Sequence, residues 1–128
     1  MSDQPSAIKS GFHSNQRADM VVPEDQSTTW TWNSISAGAC TMNNATITLH
    51  STGAANFSGE MTSPNYGDVW IVQGIALIDA NGLELFRIAQ FDGTPNYMPG
   101  SVDYLAATVF LPAYMYSYVS SLVMYPHC

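Results

Sequence analysis

The sequence predicts an all-β fold, a small antiparallel β-barrel or β-sandwich of about seven to nine strands. Three observations predict it. Short runs rich in β-branched and aromatic residues alternate apolar with polar side chains at period two. Clusters of Gly, Pro, Asn, Asp and Ser separate those runs at intervals of about ten residues. In residues 69–91, two apolar runs flank Asp79-Ala80-Asn81-Gly82. Asn and Gly accept the positive φ that tight hairpin turns demand, so this stretch reads as the central hairpin.

Residues 1–26 read as a polar, mostly irregular N-terminal arm, with Val21-Val22-Pro23 a short edge strand ended by the proline. His13 and Arg17 sit there as solvated side chains. Residues 27–128 then form a single all-β domain. Thr28-Thr29-Trp30-Thr31-Trp32 is the first clear strand, with both tryptophans on one face, either as core or as an exposed platform for a flat ligand. Ala39-Cys40-Thr41-Met42 is a short extended piece and Asn43-Asn44 a turn. Ala45–His50 is a strand with Ile47 and Leu49 on one face and Thr46, Thr48 and His50 on the other. Ala54–Thr62 pairs back on it, Phe57 and Met61 inward and Asn56, Ser58 and Glu60 outward.

The arm from Val69 to Ile78 is apolar on both faces, Trp70, Val72, Gly74, Ala76 and Ile78 on one and Val69, Ile71, Gln73, Ile75 and Leu77 on the other. Burial on both sides implies a sandwich centre, an oligomer interface, or a barrel around an apolar cavity. Gly74 marks a bulge or bend. Residues 91–101 form the longest irregular stretch, and with Asp92, Asn96 and Tyr97 they are the first candidate for a binding loop. Asp103–Leu111 is a further strand. Ala113–Tyr125 reads as the closing strand, with Tyr114, Tyr116 and Tyr118 sharing a face. No helix is expected.

Composition excludes several functions. Net charge is −7, and Lys9, Arg17 and Arg87 are the cations. A polyanion needs a basic track, so nucleic acid is not expected as a partner, and anionic membrane surfaces are disfavoured for the same reason. No run approaches the ~18 apolar residues of a membrane-spanning helix. Charged residues make up only 10% of the chain, against a norm of about 25%, so Ser, Thr, Asn and Gln must cover the surface. Such surfaces suit secreted proteins and carbohydrate binders. Met1–Pro5 has neither a basic n-region nor an apolar h-region, so the chain either starts in the cytosol or has lost a signal. Cys40 and Cys128 either form one disulfide or remain one buried and one terminal thiol. They and three scattered His lack metal-ligand spacing, and no cofactor motif occurs.

From Trp30 to Phe86 the run Thr29-Trp30-Thr31-Trp32, Ala37–Met42, Thr48–Gly53, Phe57, Ser63, Asp68-Val69-Trp70 and Leu77–Gly82 resembles a family of small, often secreted all-β domains of unassigned function. The resemblance covers a little under half the chain and implies the fold without any catalytic residue. More loosely, the size and hydroxyl-rich strands are similar to cytosolic fungal lectins and avidin-like barrels.

Three functions follow as expectations. The first is a binding module, carbohydrate-binding and lectin-like, using Trp30, Trp32 and the Asp92–Ser101 loop. The second is a cofactor-free cyclase or isomerase that orients a small molecule in an apolar cavity lined by Trp70, Tyr114, Met115, Tyr116 and Tyr118, with Glu60 or His50 polarising it. The third is a homo-oligomeric interaction protein. Cys40 with His50 lacks a nucleophile motif. Asn44-Ala45-Thr46 and Asn56-Phe57-Ser58 fit the N-glycosylation sequon.

Overall fold

The computed structural model describes residues 6–13 and 26–128. Among them run ten strands: β1 (Ile8–His13), β2 (Ser27–Thr31), β3 (Ile35–Ala37), β4 (Cys40–His50), β5 (Ala54–Thr62), β6 (Ile71–Ile78), β7 (Glu84–Ile88), β8 (Phe91–Asp92), β9 (Val102–Phe110) and β10 (Ser121–His127), with a 3-10 helix at Ala113–Tyr118 before β10. They form two antiparallel sheets, β1-β2-β4-β5-β9 with β3 also on β4, and β10-β6-β7 with β8 also on β6. Of the two predicted architectures this is the sandwich; the strands do not close into a barrel.

Each sheet contains one interrupted strand. β2 and β3 keep one register against β4, Thr31↔Thr46 and Ile35↔Met42, and between them Trp32 N–H still donates to Ala45 C=O at 2.9 Å. β7 and β8 likewise share one register against β6. Named separately, these pieces bring the strands to ten; taken as two interrupted strands they leave eight, within the expected seven to nine. Residues 6–7 bond to β10 (Ala7 N–H to Leu122 C=O, 3.0 Å), and β1 continues onto β2, joining one edge of each sheet.

The core lies between the sheets. Trp30, Ile47, Leu49, Phe57 and Met61 meet Trp70, Val72, Ile75, Leu77, Ile88, Leu122 and Met124. The Phe57 and Phe91 rings meet edge-on across the gap, centroids 5.3 Å apart. Two bulges keep the apolar sets inward. The β6–β10 register slips between Ile75↔Met124 and Val72↔Pro126, beside Gly74. The inward set is therefore Val72, then Ile75 and Leu77, while Gln73 is exposed. This face switch explains much of the two-sided apolar pattern. On the outer face Arg87 stands in register with Ala76, and its stem covers Gly74, whose Cβ position is 3.0 Å from Arg87 Cδ. Its guanidinium stacks 4.3 Å over Tyr125 and bonds Glu84. That hydrogen bond holds the Glu84 carboxyl below its ordinary value.

Two local expectations are corrected. Asn43-Asn44 is a bulge inside an eleven-residue β4, not a turn: Asn44 takes φ 57° and the β4–β5 register slips by one there. Residues 113–118 coil into the 3-10 helix instead of starting the last strand, because Pro112 accepts the Met115 N–H (3.0 Å) as Tyr116 accepts that of Val119. Within the arm, Ile8–His13 forms β1. Val21–Pro23 and Arg17 lie outside the described residues. No helix among the described residues is long and apolar enough to cross a membrane.

The β4–β5 turn depends on Gly53, with φ 100° and a Cβ position only 2.7 Å from the Leu111 carbonyl oxygen. Gly53→Ala is expected to cost about 1–3 kcal/mol, read as a lower urea midpoint with an unchanged slope.

Candidate functional site

The outer face of the six-stranded sheet carries hydroxyl, amide and carboxylate groups in rows, because antiparallel register places alternate residues side by side. One row runs Thr29, Thr48, Asn56 and Thr108 across four strands. Thr29 and Thr48 share a hydroxyl hydrogen bond of 2.8 Å, Thr108 donates to Asn56 Oδ1 at 3.3 Å, and Asn56 Nδ2 meets His50 Nε2 at 3.2 Å. These polar groups are largely occupied with one another.

The next row but one is different. Glu60 lies in register between Asn43 and Tyr104. The bulge turns Asn44 so that its Nδ2 donates to Glu60 Oε1 at 3.1 Å. That leaves Oε2 of the same carboxylate for another donor. The Tyr104 ring is 75% exposed. Asn44, Ser58, Glu60, Tyr104 and Ala106 line a groove of about 320 Å³. An amide, a carboxylate and a free aromatic face thus converge on one rigid sheet.

A second exposed aromatic cluster sits on loops. Tyr66 and Tyr97 are 70% and 62% exposed, with ring centroids 5.6 Å apart. They are held by Asn96, whose side chain is fully buried. Its Nδ2 donates to the carbonyls of Ser63 (2.9 Å) and Asn65 (3.2 Å), and its Oδ1 accepts the Met98 N–H. Asn96 therefore latches residues 63–67 to residues 96–98, with both ends of its buried amide engaged.

At the base of the first loop, Cys40 and Cys128 form a disulfide, Cα atoms 6.2 Å apart. Asp68 Oδ2 lies 3.6 Å from Cys40 Sγ and accepts the Ser63 hydroxyl at 2.7 Å. The sulfur carries no proton when bridged, so the first distance is a contact and not a hydrogen bond.

Of the remaining predicted site residues, Trp30, Trp32 and Trp70 are buried in the core, Trp70 to 1% exposure, which removes them as a platform. Tyr114 and Tyr118 are exposed on the 3-10 helix, while Tyr116 bonds the Thr28 hydroxyl at 2.8 Å, so the three do not share a face. Asp92 is exposed on β8 and accepts from Gln90 at 3.2 Å. Glu60 and His50 share the outer face, on different rows. Asn44, Tyr66 and Tyr104 were missed. The signal for Tyr104 was present in the alternation of β9, where Val102, Tyr104, Ala106, Thr108 and Phe110 form the exposed set.

Asn96→Ala removes three hydrogen bonds made by a fully buried side chain, so it is expected to lower stability by about 2–4 kcal/mol. The Tyr66–Tyr97 contact should go with it, read as loss of the cross-peaks between the two rings in NMR.

No curated protein and no solved structure matches the chain. The profile of a family of unknown function (DUF6294) matches residues 46–128, which takes in Glu60, Asp68, Tyr104 and Cys128. The chain belongs to that family.

Proposed function

We propose that this chain is a glycan-binding module whose ligand lies over Tyr104 and Glu60 on the outer face of the six-stranded sheet. The observation that carries the reading is the placement of an exposed Tyr ring in register with a carboxylate that an amide already holds. A pyranose ring offers an apolar C–H face to an aromatic and vicinal hydroxyls to a carboxylate. The supporting logic is that of small-ligand sites in general, in which an apolar contact gives area and a few fixed polar groups give orientation. At about 320 Å³ the groove sits at the lower end of ligand-site volumes, which suits one or two sugar rings.

Among the described residues, Glu60 is the only carboxylate lining this groove. Glycoside hydrolysis needs two carboxylates across the scissile bond, so the reading is of binding, not cleavage. Both sequon asparagines, Asn44 and Asn56, are exposed on this face. Glycosylation at Asn44 would cover the groove.

Calorimetric titration against a panel of neutral mono- and oligosaccharides tests the reading. Tyr104→Ala is expected to weaken binding at least 10-fold, about 1.4 kcal/mol, and Glu60→Gln by a similar factor. Tyr114→Ala, on the 3-10 helix, should leave it unchanged. Binding that survives Tyr104→Ala, or no binding across the panel, overturns the reading.

A further inference from the structure

We propose that Cys40, Cys128 and Asp68 form a second, redox-gated site: when the disulfide is reduced, the two thiolates and the Asp68 carboxylate hold a thiophilic divalent ion of the zinc class. One ligand atom from each lies within 4.8 Å of the others. For a tetrahedral ion with metal–sulfur bonds of about 2.3 Å and metal–oxygen bonds of about 2.0–2.2 Å, sulfur and oxygen ligands stand about 3.6 Å apart. Asp68 Oδ2 and Cys40 Sγ stand 3.6 Å apart. The two sulfurs would part to about 3.8 Å by the same geometry, which Cα atoms 6.2 Å apart permit by side-chain rotation.

The surroundings fit a ligand set. A bridged sulfur gains nothing from a carboxylate oxygen pointed at it. Asp68 is nonetheless fixed there by the Ser63 hydroxyl, which itself accepts the Asn65 N–H at 3.0 Å. Oriented carboxylates of this kind are what outer-shell partners produce in metal sites. Cys40 is buried, while Asp68 and Cys128 are half-buried, so the site is dry on one side and reachable from the other. Three protein ligands leave one position for water, the count of sites that keep an open coordination position.

The chemistry balances with a dithiol reductant. Two electrons and two protons pass to the Cys40–Cys128 bond, which breaks to two thiols, and the reductant closes its own disulfide. Ion binding then forms two metal–thiolate bonds and releases the two thiol protons. Disulfide and ion are mutually exclusive, so the bound ion protects the thiols from reoxidation. The sequence conceals this site: the cysteines are 88 residues apart, and Asp68 sits among turn residues.

The test is titration of the full chain with cobalt(II), followed by displacement with zinc(II), in oxidised and phosphine-reduced forms. The reduced protein should take up one equivalent, with thiolate-to-cobalt charge transfer and the visible bands of a tetrahedral centre; the oxidised protein should show neither. Ser63→Ala should weaken the site about 10- to 100-fold, and Asp68→Asn at least as much. Cys128→Ser should lose the two-thiolate spectrum. A reduced protein without the charge-transfer band, an oxidised protein that binds equally, or Asp68→Asn with unchanged affinity overturns the proposal. Should reduction unfold the chain, recovery of its near-ultraviolet circular dichroism on adding zinc supports the site, and failure to recover it overturns it.

Discussion

The single extra residue at Asn43–Asn44 is the constraint on which the six-stranded sheet depends. β4 is eleven residues long and contributes Cys40 and Met42 to the core before the bulge, then Ala45, Ile47 and Leu49 after it. Those two sets differ in parity. A regular strand would send one of them to solvent, since a one-residue slip exchanges the faces of a sheet. Asn44 in the left-handed region absorbs the difference, which Asn tolerates better than most residues. The same residue then reaches Glu60. Core parity, the inward sulfur of Cys40 and the polar trio on the outer face thus share one origin.

The second bulge does for the four-stranded sheet what the first does for its partner. Val72 and Ile75, three apart, both face the core because the chain gains a residue beside Gly74. The space left by the missing Cβ is filled from outside by the stem of Arg87. One cation therefore serves as an apolar cover as much as a charge, and a chain with few charged residues uses this one for packing.

What could be read in the sequence was local. Asp79-Ala80-Asn81-Gly82 carries its turn in its chemistry, and Asp79 Oδ1 accepts from the backbone of Asn81 and Leu83 as such residues do. The alternation of Ala54–Thr62 fixed which side chains of β5 face outward. What escaped was set by register between distant segments. Tyr104 has no meaning in its own strand until it is paired with Glu60, and Asp68 none until Cys128 arrives beside Cys40. Trp30 and Trp32 were ambiguous because period two says that two rings share a face without saying which layer covers it. The tyrosines at 114, 116 and 118 misled for a related reason. Their spacing suits a strand, but the capping carbonyl of Pro112 favours a turn, and the turn separates them.

The opening strand joins the two sheets at their edges, Ala7 on β10 and Lys9 on β2. This has a consequence for how the chain is made. Ser6 leaves the ribosome long before its bridge partner, Val123. The β4–β5 and β6–β7 hairpins can form as they emerge, but that flank of the sandwich stays open until β10 has been made. The disulfide partner of Cys40 arrives later still, at residue 128. Before β10 arrives, the nascent domain presents an unpaired edge on β6 and an unpartnered segment at Ser6 and Ala7, and it sheds both together in that one late step.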